Sequence, residues 1–311
     1  MARSGYLHHA TRFRQTQALR SRDRWPMLVP VPRPDPIQLP LPRPIGFVLG
    51  GGGTLGSVQV GMMRALLERG ISPDLVVGTS IGAFNGAVLA ADPGSAVETL
   101  LHFWANASRS DVLPLRGLRP LLHWRRTRQS LYPSDGAARG IRSVLGAYPR
   151  IEDLALPFGA VAVNARTGLA ELLSDGPLES ALLASSAIPA FFAPVSRAGN
   201  LYYDGGLGDA VPMGQAVAMG AKSLVVLDTT NPMVDLDRPS SIGEFAAFVT
   251  EVYSRQGVLR HLHDLADIPT LYPRSPATGI MSTFSLDHTD ELLTSSYADT
   301  CTYLDQVLIT G

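Results

Sequence analysis

The sequence predicts an α/β layered fold, and two observations carry that expectation. From Ile45 onward, short apolar strands alternate with stretches whose apolar residues recur at helical spacing, the pattern of a sheet covered by helices. Two of these strands run into helices through glycine-bearing turns, at Gly50 to Gly56 and Gly78 to Gly82.

Taken in order, Gly46-Phe47-Val48-Leu49 reads as a buried strand, and Val58, Met62, Ala65 and Leu66 then recur at helical spacing. Leu75-Val76-Val77 is the next strand, followed by a helix from Ile81 to Ala91. Further strands are expected at 158–164, 201–204 and 224–228, each short, apolar and bounded by turn formers. Phe245, Phe248, Val249 and Val252 mark a later helix, and Leu293, Tyr297, Cys301, Leu304 and Leu308 mark the last. No internal repeat is visible.

A chain of 311 residues, 45% of them hydrophobic, can bury one large core or two small ones. One catalytic domain over 45–311 behind a tail is expected. Residues 1–25 carry Arg3, Arg12, Arg14, Arg20, Arg22 and Arg24 against the single acid Asp23, and proline recurs from Pro26 to Pro44. Proline removes backbone donors and favours an extended spacer, so 1–44 reads as a basic, Pro-rich, disordered tail. Between 109 and 132, arginines mix with Leu, Pro and Trp, including His123-Trp124-Arg125-Arg126-Thr127-Arg128. That mixture suits an interfacial loop or a lid over an active site.

The formal net charge is −1, from 26 basic and 27 acidic side chains. No global field draws the chain to nucleic acid or to an anionic membrane, so no nucleic-acid partner is expected and any peripheral membrane contact must come from a local patch. Cys301 is the only cysteine, which excludes an intrachain disulfide and makes a reducing cytoplasm the expected location. There is no uninterrupted apolar run of 18 residues and no apolar core of a secretory signal, so no membrane span is expected.

Gly78-Thr79-Ser80-Ile81-Gly82 follows a strand and opens a helix, the context that a G-x-S-x-G nucleophile elbow requires. Glycine on both sides removes β-carbons that would clash in so tight a turn, and the helix N-terminus favours developing negative charge. The other reading is an ordinary glycine-serine turn. Upstream, Gly50-Gly51-Gly52-Gly53-Thr54-Leu55-Gly56 joins another strand to another helix. Four consecutive glycines are entropically costly, so bare backbone must be needed there. Acyl transfer needs amide N–H groups facing the oxyanion of a tetrahedral intermediate, and Gly51, Gly52 and Gly53 are the expected donors.

Gly51, Gly53 and Gly56 also fit the dinucleotide pattern G-x-G-x-x-G. That site wants an acid after the next strand, whereas Asp74 stands before it. A Walker loop fails because no Gly-Lys-Ser/Thr follows. Asp204, ending an apolar strand and followed by Gly205 and Gly206, reads alone as a turn; beside a serine elbow its carboxylate can take the serine proton.

With these three blocks in order, the chain resembles the patatin-like phospholipase family: the loop Gly51 to Gly56, the elbow Gly78 to Gly82, and Asp204-Gly205-Gly206. Connecting text is similar too, notably Ala65-Leu66-Leu67-Glu68-Arg69-Gly70-Ile71, Asp74-Leu75-Val76-Val77-Gly78-Thr79-Ser80 and Ala184-Ser185-Ser186-Ala187-Ile188-Pro189-Ala190. The resemblance implies a three-layer α/β/α fold with a mostly parallel central sheet, a Ser80–Asp204 dyad without histidine, hydrolysis of lipid acyl esters, and no metal or cofactor. The chain departs from it at Leu55, where the family commonly has arginine. Two alternatives stand beside it. A Ser-Asp-His triad could draw on His261, His263 or His288, and a non-catalytic lipid- or nucleotide-binding module could keep the fold without the activity. For the dyad, no essential group should titrate near 6.5, the ordinary histidine value.

Overall fold

The computed structural model describes residue 39 and residues 41–108, 117–230, 242–276 and 286–310. Most of the expected tail, and residues 109–116 of the expected lid, lie outside these described residues.

The sheet is built around β1 (Ile45–Leu49), which α1 (Gly56–Glu68) joins to β2 (Leu75–Thr79). Among the described residues four α-helices separate β2 from β3 (Phe158–Asn164): α2 (Ile81–Ala91), α3 (Ala96–Asn106), α4 (Arg119–Thr127) and α5 (Asp135–Leu145). After β4 (Ala170–Leu173) come α6 (Leu178–Ser185), β5 (Val195–Arg197) and β6 (Asn200–Asp204). α7 (Met213–Ala218), β7 (Ser223–Leu227), α8 (Ile242–Asp264), β8 (Thr270–Leu271) and α9 (Thr289–Thr310) follow. The strands lie in the order β5-β6-β3-β2-β1-β7-β8, with β4 also on β3. Every pair from β3 to β8 along that order is parallel, and the pairs β3–β4, β3–β6 and β5–β6 are antiparallel.

Helices cover both faces, which is why β1, β2 and β7 are buried at every residue and read as near-continuous apolar runs. Alternate side chains serve opposite layers. Val48, Val77, Leu224 and Val226 pack with Met213 and Ala216 of α7 and with Val258 of α8. On the other face, Leu49, Val76 and Phe158 close on Gly86 of α2. The mixed, mostly parallel three-layer α/β fold is the expected one.

The registers place two strand ends together. Thr79 of β2 pairs with Val161 of β3, while Asp204 of β6 pairs with Ala162, one residue further on. β4 spans Ala160 to Val163 on the opposite edge, so β2 and β6 share a single edge of β3. Because β6 runs antiparallel to β3, its last residue arrives head-on at the end of β2.

The residues just before Ile45 are bound to the domain. Pro42 and Pro44 accept hydrogen bonds from the Ser223 hydroxyl (2.7 Å) and the Lys222 amide (2.8 Å). Asp74, at the start of β2, takes the Arg43 guanidinium at 2.5 Å and the Ile45 amide at 2.6 Å. Its role there is to fix the entry to β1. The short strands β4, β5 and β8 and helices α3 to α7 are additions to the elements read from sequence, and α4 stands where a loop or lid is expected.

α1 and α9 cross closely at Gly61, where an added β-carbon would lie 2.1 Å from the Ser296 hydroxyl and 2.4 Å from the Leu293 carbonyl. Gly61→Ala should therefore destabilise the fold by ~1–3 kcal/mol through overpacking, read from urea unfolding. Stability equal to wild type would show that the two helices separate at no cost.

Candidate active site

Ser80 occupies the turn between β2 and α2 with φ 55° and ψ −122°, a conformation costly for any side-chain-bearing residue. The flanking glycines make that turn fit. A β-carbon on Gly78 would lie 2.4 Å from the Gly82 carbonyl, and one on Gly82 would lie 2.2 Å from the Leu49 carbonyl. The Ser80 amide donates to the Ser185 hydroxyl at 2.8 Å, and that hydroxyl donates to the Val161 carbonyl at 2.6 Å. Ser185 thus ties the elbow to β3, a role that the similarity of the text around it does not name.

The Ser80 hydroxyl donates to Asp204 Oδ2 at 2.7 Å, and Asp204 Oδ1 accepts the Gly206 amide at 2.7 Å. Both residues are almost completely buried. Loss of hydration pushes the Asp204 carboxyl up to about 6, against the lowering effect of the hydrogen bonds from Gly206 and Ser80. The carboxyl that faces Ser80 is thereby moved toward the range in which a histidine ordinarily titrates. Gly205 cannot carry a side chain, since its β-carbon would sit 2.2 Å from the Val161 carbonyl.

The glycine loop follows β1 and lies beside the elbow. The Gly51 amide is committed to the Ala210 carbonyl at 2.9 Å, so Gly51 is not free to be the oxyanion donor expected of it. The Gly52 and Gly53 amides have no acceptor among the described residues. Gly52 has φ 155°, and a β-carbon there would meet the Thr229 hydroxyl oxygen at 2.1 Å; Gly53 has φ 60°. The Ile81 amide, in the first turn of α2, likewise has no acceptor among the described residues, and the residue after an elbow nucleophile commonly donates, a signal the sequence does carry. Gly56 is confined by Ile81 and Trp104. Leu55, in place of the family's usual arginine, is buried.

Polar side chains among apolar helical neighbours hold the loop. Gln59 donates to the carbonyls of Gly50 (2.8 Å) and Leu227 (2.9 Å). Asn85 donates to the Gly56 carbonyl (2.9 Å) and to Gln59 (2.8 Å), and accepts from the Trp104 indole at 3.3 Å. The Thr229 hydroxyl donates to the Gly51 carbonyl.

A cavity of about 860 Å³ opens onto Ser80, Gly53 and Ile81. Phe84, Phe103, Ile141, Leu182 and Phe192 make its wall largely apolar, with Glu98, His102 and Arg139 also lining it. The triad candidates are engaged elsewhere: His261 with Asp209 (3.1 Å), His263 with Asp264 (3.1 Å) and His288 with Glu291 (3.3 Å). Among the described residues no cluster of histidine, cysteine or carboxylate side chains could hold a metal ion, and no helix is long and apolar enough to cross a membrane.

Residues 47–217, more than half of the 311-residue chain, match the patatin-like phospholipase family. The chain is similar to patatin-like phospholipase domain-containing protein 7 of Rattus norvegicus, 34% identical over 188 residues that cover 59% of this chain and 13% of that protein. It is also similar to lysophospholipase nte1 of Aspergillus terreus, 30% identical over 213 residues that cover 65% of this chain and 13% of that one. The match thus spans 13% of the length of these relatives. Among solved structures, VipD of Legionella pneumophila is similar at 16% identity and a TM-score of 0.47, with 85% of this chain and 67% of that chain covered.

Two outcomes follow from the geometry. A carboxyl raised on folding from 3.8 to about 6 binds its proton more tightly in the folded state, so its ionisation costs stability as pH rises through that window. Relative to wild type, Asp204→Asn should gain ~3 kcal/mol between pH 4 and pH 8, the equivalent of about two pKa units, while wild-type kcat/KM on a water-soluble ester rises through pH 6. A pH-independent stability difference between the two proteins would contradict the buried charge. Separately, Gly51→Ala has no atom nearer than 3.6 Å to its new methyl and should keep activity within about threefold, whereas Gly52→Ala should lose tenfold or more. Equal losses in the two variants would reject the assignment of Gly52.

Proposed function

The chain belongs to the patatin-like phospholipase family, and on that premise we propose that it hydrolyses carboxylic esters of phospholipids or related lipids through an acyl-enzyme on Ser80. The observation that carries this reading is the 2.7 Å hydrogen bond from Ser80, which lines a largely apolar cavity, to a buried, proton-hungry Asp204.

In the proposed reaction the acyl chain lies along the apolar wall and brings the ester carbonyl to Ser80. As Ser80 Oγ attacks the carbonyl carbon, its proton passes to Asp204 Oδ2. The tetrahedral oxyanion is met by the amides of Gly52 and Gly53, aided by Ile81 and by the N-terminal end of α2. Collapse breaks the ester C–O bond, and Asp204 returns the proton to the departing alcohol. Water then attacks the acyl-enzyme, losing its proton to Asp204, which passes it to Ser80 Oγ as the acyl–Oγ bond breaks and the fatty acid leaves. Burial raises Asp204 toward the pH at which it works, which makes one carboxylate serviceable as both base and acid. Side chains and backbone amides accomplish each of these steps, and the glycines at 56, 78, 82, 205 and 206 serve by giving the backbone room.

The same reading places the protein in the cytoplasm, where an unpaired Cys301 is stable, with contact at a membrane surface where its substrate resides.

Ser80→Ala should lower ester hydrolysis by at least ~10³-fold with an unchanged circular dichroism spectrum, and Asp204→Asn should fall comparably. His261→Ala, His263→Ala and His288→Ala should each stay within about tenfold, or ~1.4 kcal/mol of barrier. If one histidine variant drops as far as Ser80→Ala, a triad replaces the dyad.

A further inference from the structure

We propose that helix α4 is a docking surface for anionic lipid bilayers, seated at the mouth of the Ser80 cavity. This deepens the membrane contact suggested above and rests on the reading of the protein as a lipid hydrolase.

α4 is amphipathic in the reverse of the usual sense. Pro120, His123, Trp124 and Thr127 are partly covered and mark the side that leans on the protein. Leu118, Leu121 and Leu122 recur at helical spacing on the outward side and are 76%, 55% and 60% exposed. At 100° per residue, Arg125 falls among these leucines and Arg119 and Arg126 border them. No residue of α4 is buried, so packing against the core does not explain its pattern. A basic helix with large apolar residues beside arginines matches the chemistry of an acyl-chain boundary beneath anionic headgroups.

Two further observations support that occupant. From Gly117 to Tyr132 there is no aspartate or glutamate, and Arg119, Arg125, Arg126 and Arg128 form no ion pair among the described residues. The patch therefore has a strong local positive charge on a chain whose net charge is only −1. The segment is also rooted at the cavity. Ser108 and Ser134, on either side of it in sequence, both line the cavity wall. After the helix, the Leu131 and Tyr132 amides donate to the carbonyls of Ala190 (2.7 Å) and Phe191 (2.9 Å), and the Tyr132 and Phe191 rings stack at 6.0 Å. Phe192 and Ala193, next in the chain, line the cavity as well. A bilayer engaging α4 would sit beside the entrance through which an acyl chain reaches Ser80.

The full chain is tested by co-sedimentation with vesicles of phosphatidylcholine, alone or mixed with phosphatidylglycerol, alongside hydrolysis of a water-soluble short-chain ester. Wild type should bind the mixed vesicles more tightly. Leu121→Asp combined with Leu122→Asp should weaken binding to the mixed vesicles at least ~tenfold, and Arg125→Gln combined with Arg126→Gln should abolish the anionic preference. Both variants should hydrolyse the soluble ester within about twofold of wild type, since α4 carries none of the core. Wild-type binding by both variants, which would assign the surface to another basic segment such as residues 1–24, overturns the proposal, as does a wild type that ignores both vesicles. A protein that sediments in the expected pattern yet cleaves no ester sustains the docking surface and sinks the hydrolase reading instead.

Discussion

A carboxylate that must be buried and still lie within hydrogen-bond reach of a serine hydroxyl is the constraint around which this molecule is arranged. Withdrawing Asp204 from water disfavours its charge, and two donors, the Ser80 hydroxyl and the Gly206 amide, offset part of that cost. Their placement leaves little latitude. The Asp204 amide is itself bonded to the Ala187 carbonyl at 3.0 Å, while Gly205 lies against the backbone of β3. A carboxylate so held cannot move to follow a displaced serine, so the elbow must be equally fixed, and Ser185 fixes it to the same strand.

The glycine loop answers a different demand. A run of four glycines has many conformations available when unfolded, yet oxyanion donors are useful only if they are already oriented when the charge forms. The buried chain from Trp104 through Asn85 to Gln59 supplies that orientation by holding the carbonyls of Gly50 and Gly56, at the two ends of the loop. From the β7 side, Thr229 holds the carbonyl of Gly51 and closes on Gly52. With the carbonyls engaged in this way, the amides of Gly52 and Gly53 are left over. Freedom in the unfolded chain and order in the folded one therefore reside in the same four residues.

How much of this is legible in the sequence depends on the range of the interaction concerned. The elbow and the Asp-Gly-Gly turn are local, and their glycines are dictated by neighbours a few residues away or by one adjacent strand, so text alone reveals them. The strands β1, β2 and β7 are legible because burial on both faces leaves a near-continuous apolar run in each. β4, β5 and β8 are too short, at four, three and two residues, to show a period. The four glycines look equivalent in the text, and only the Gly51–Ala210 bond, between residues far apart in sequence, removes Gly51 from the donors. Gln59 and Asn85 do leave a trace, as polar residues inside apolar helical stretches, but their targets are backbone carbonyls that pattern cannot name. Burial of Asp204, and hence its altered proton affinity, belongs to the assembled fold.

The direction of β6 explains how two residues at strand ends come to meet. The serine turn, the glycine loop and Thr229 all follow the carboxyl ends of parallel strands, β2, β1 and β7, the rim at which open α/β sheets generally place their chemistry. A parallel neighbour would end beside β2, a full strand spacing of ~4.8 Å away, and would have to reach Ser80 through a loop. An antiparallel β6, laid on the same edge of β3, instead ends directly ahead of β2. The distance between hydroxyl and carboxylate is then set by the hydrogen-bond register of one sheet, which is stiffer than any loop, and a proton can pass between them with no histidine to bridge a gap.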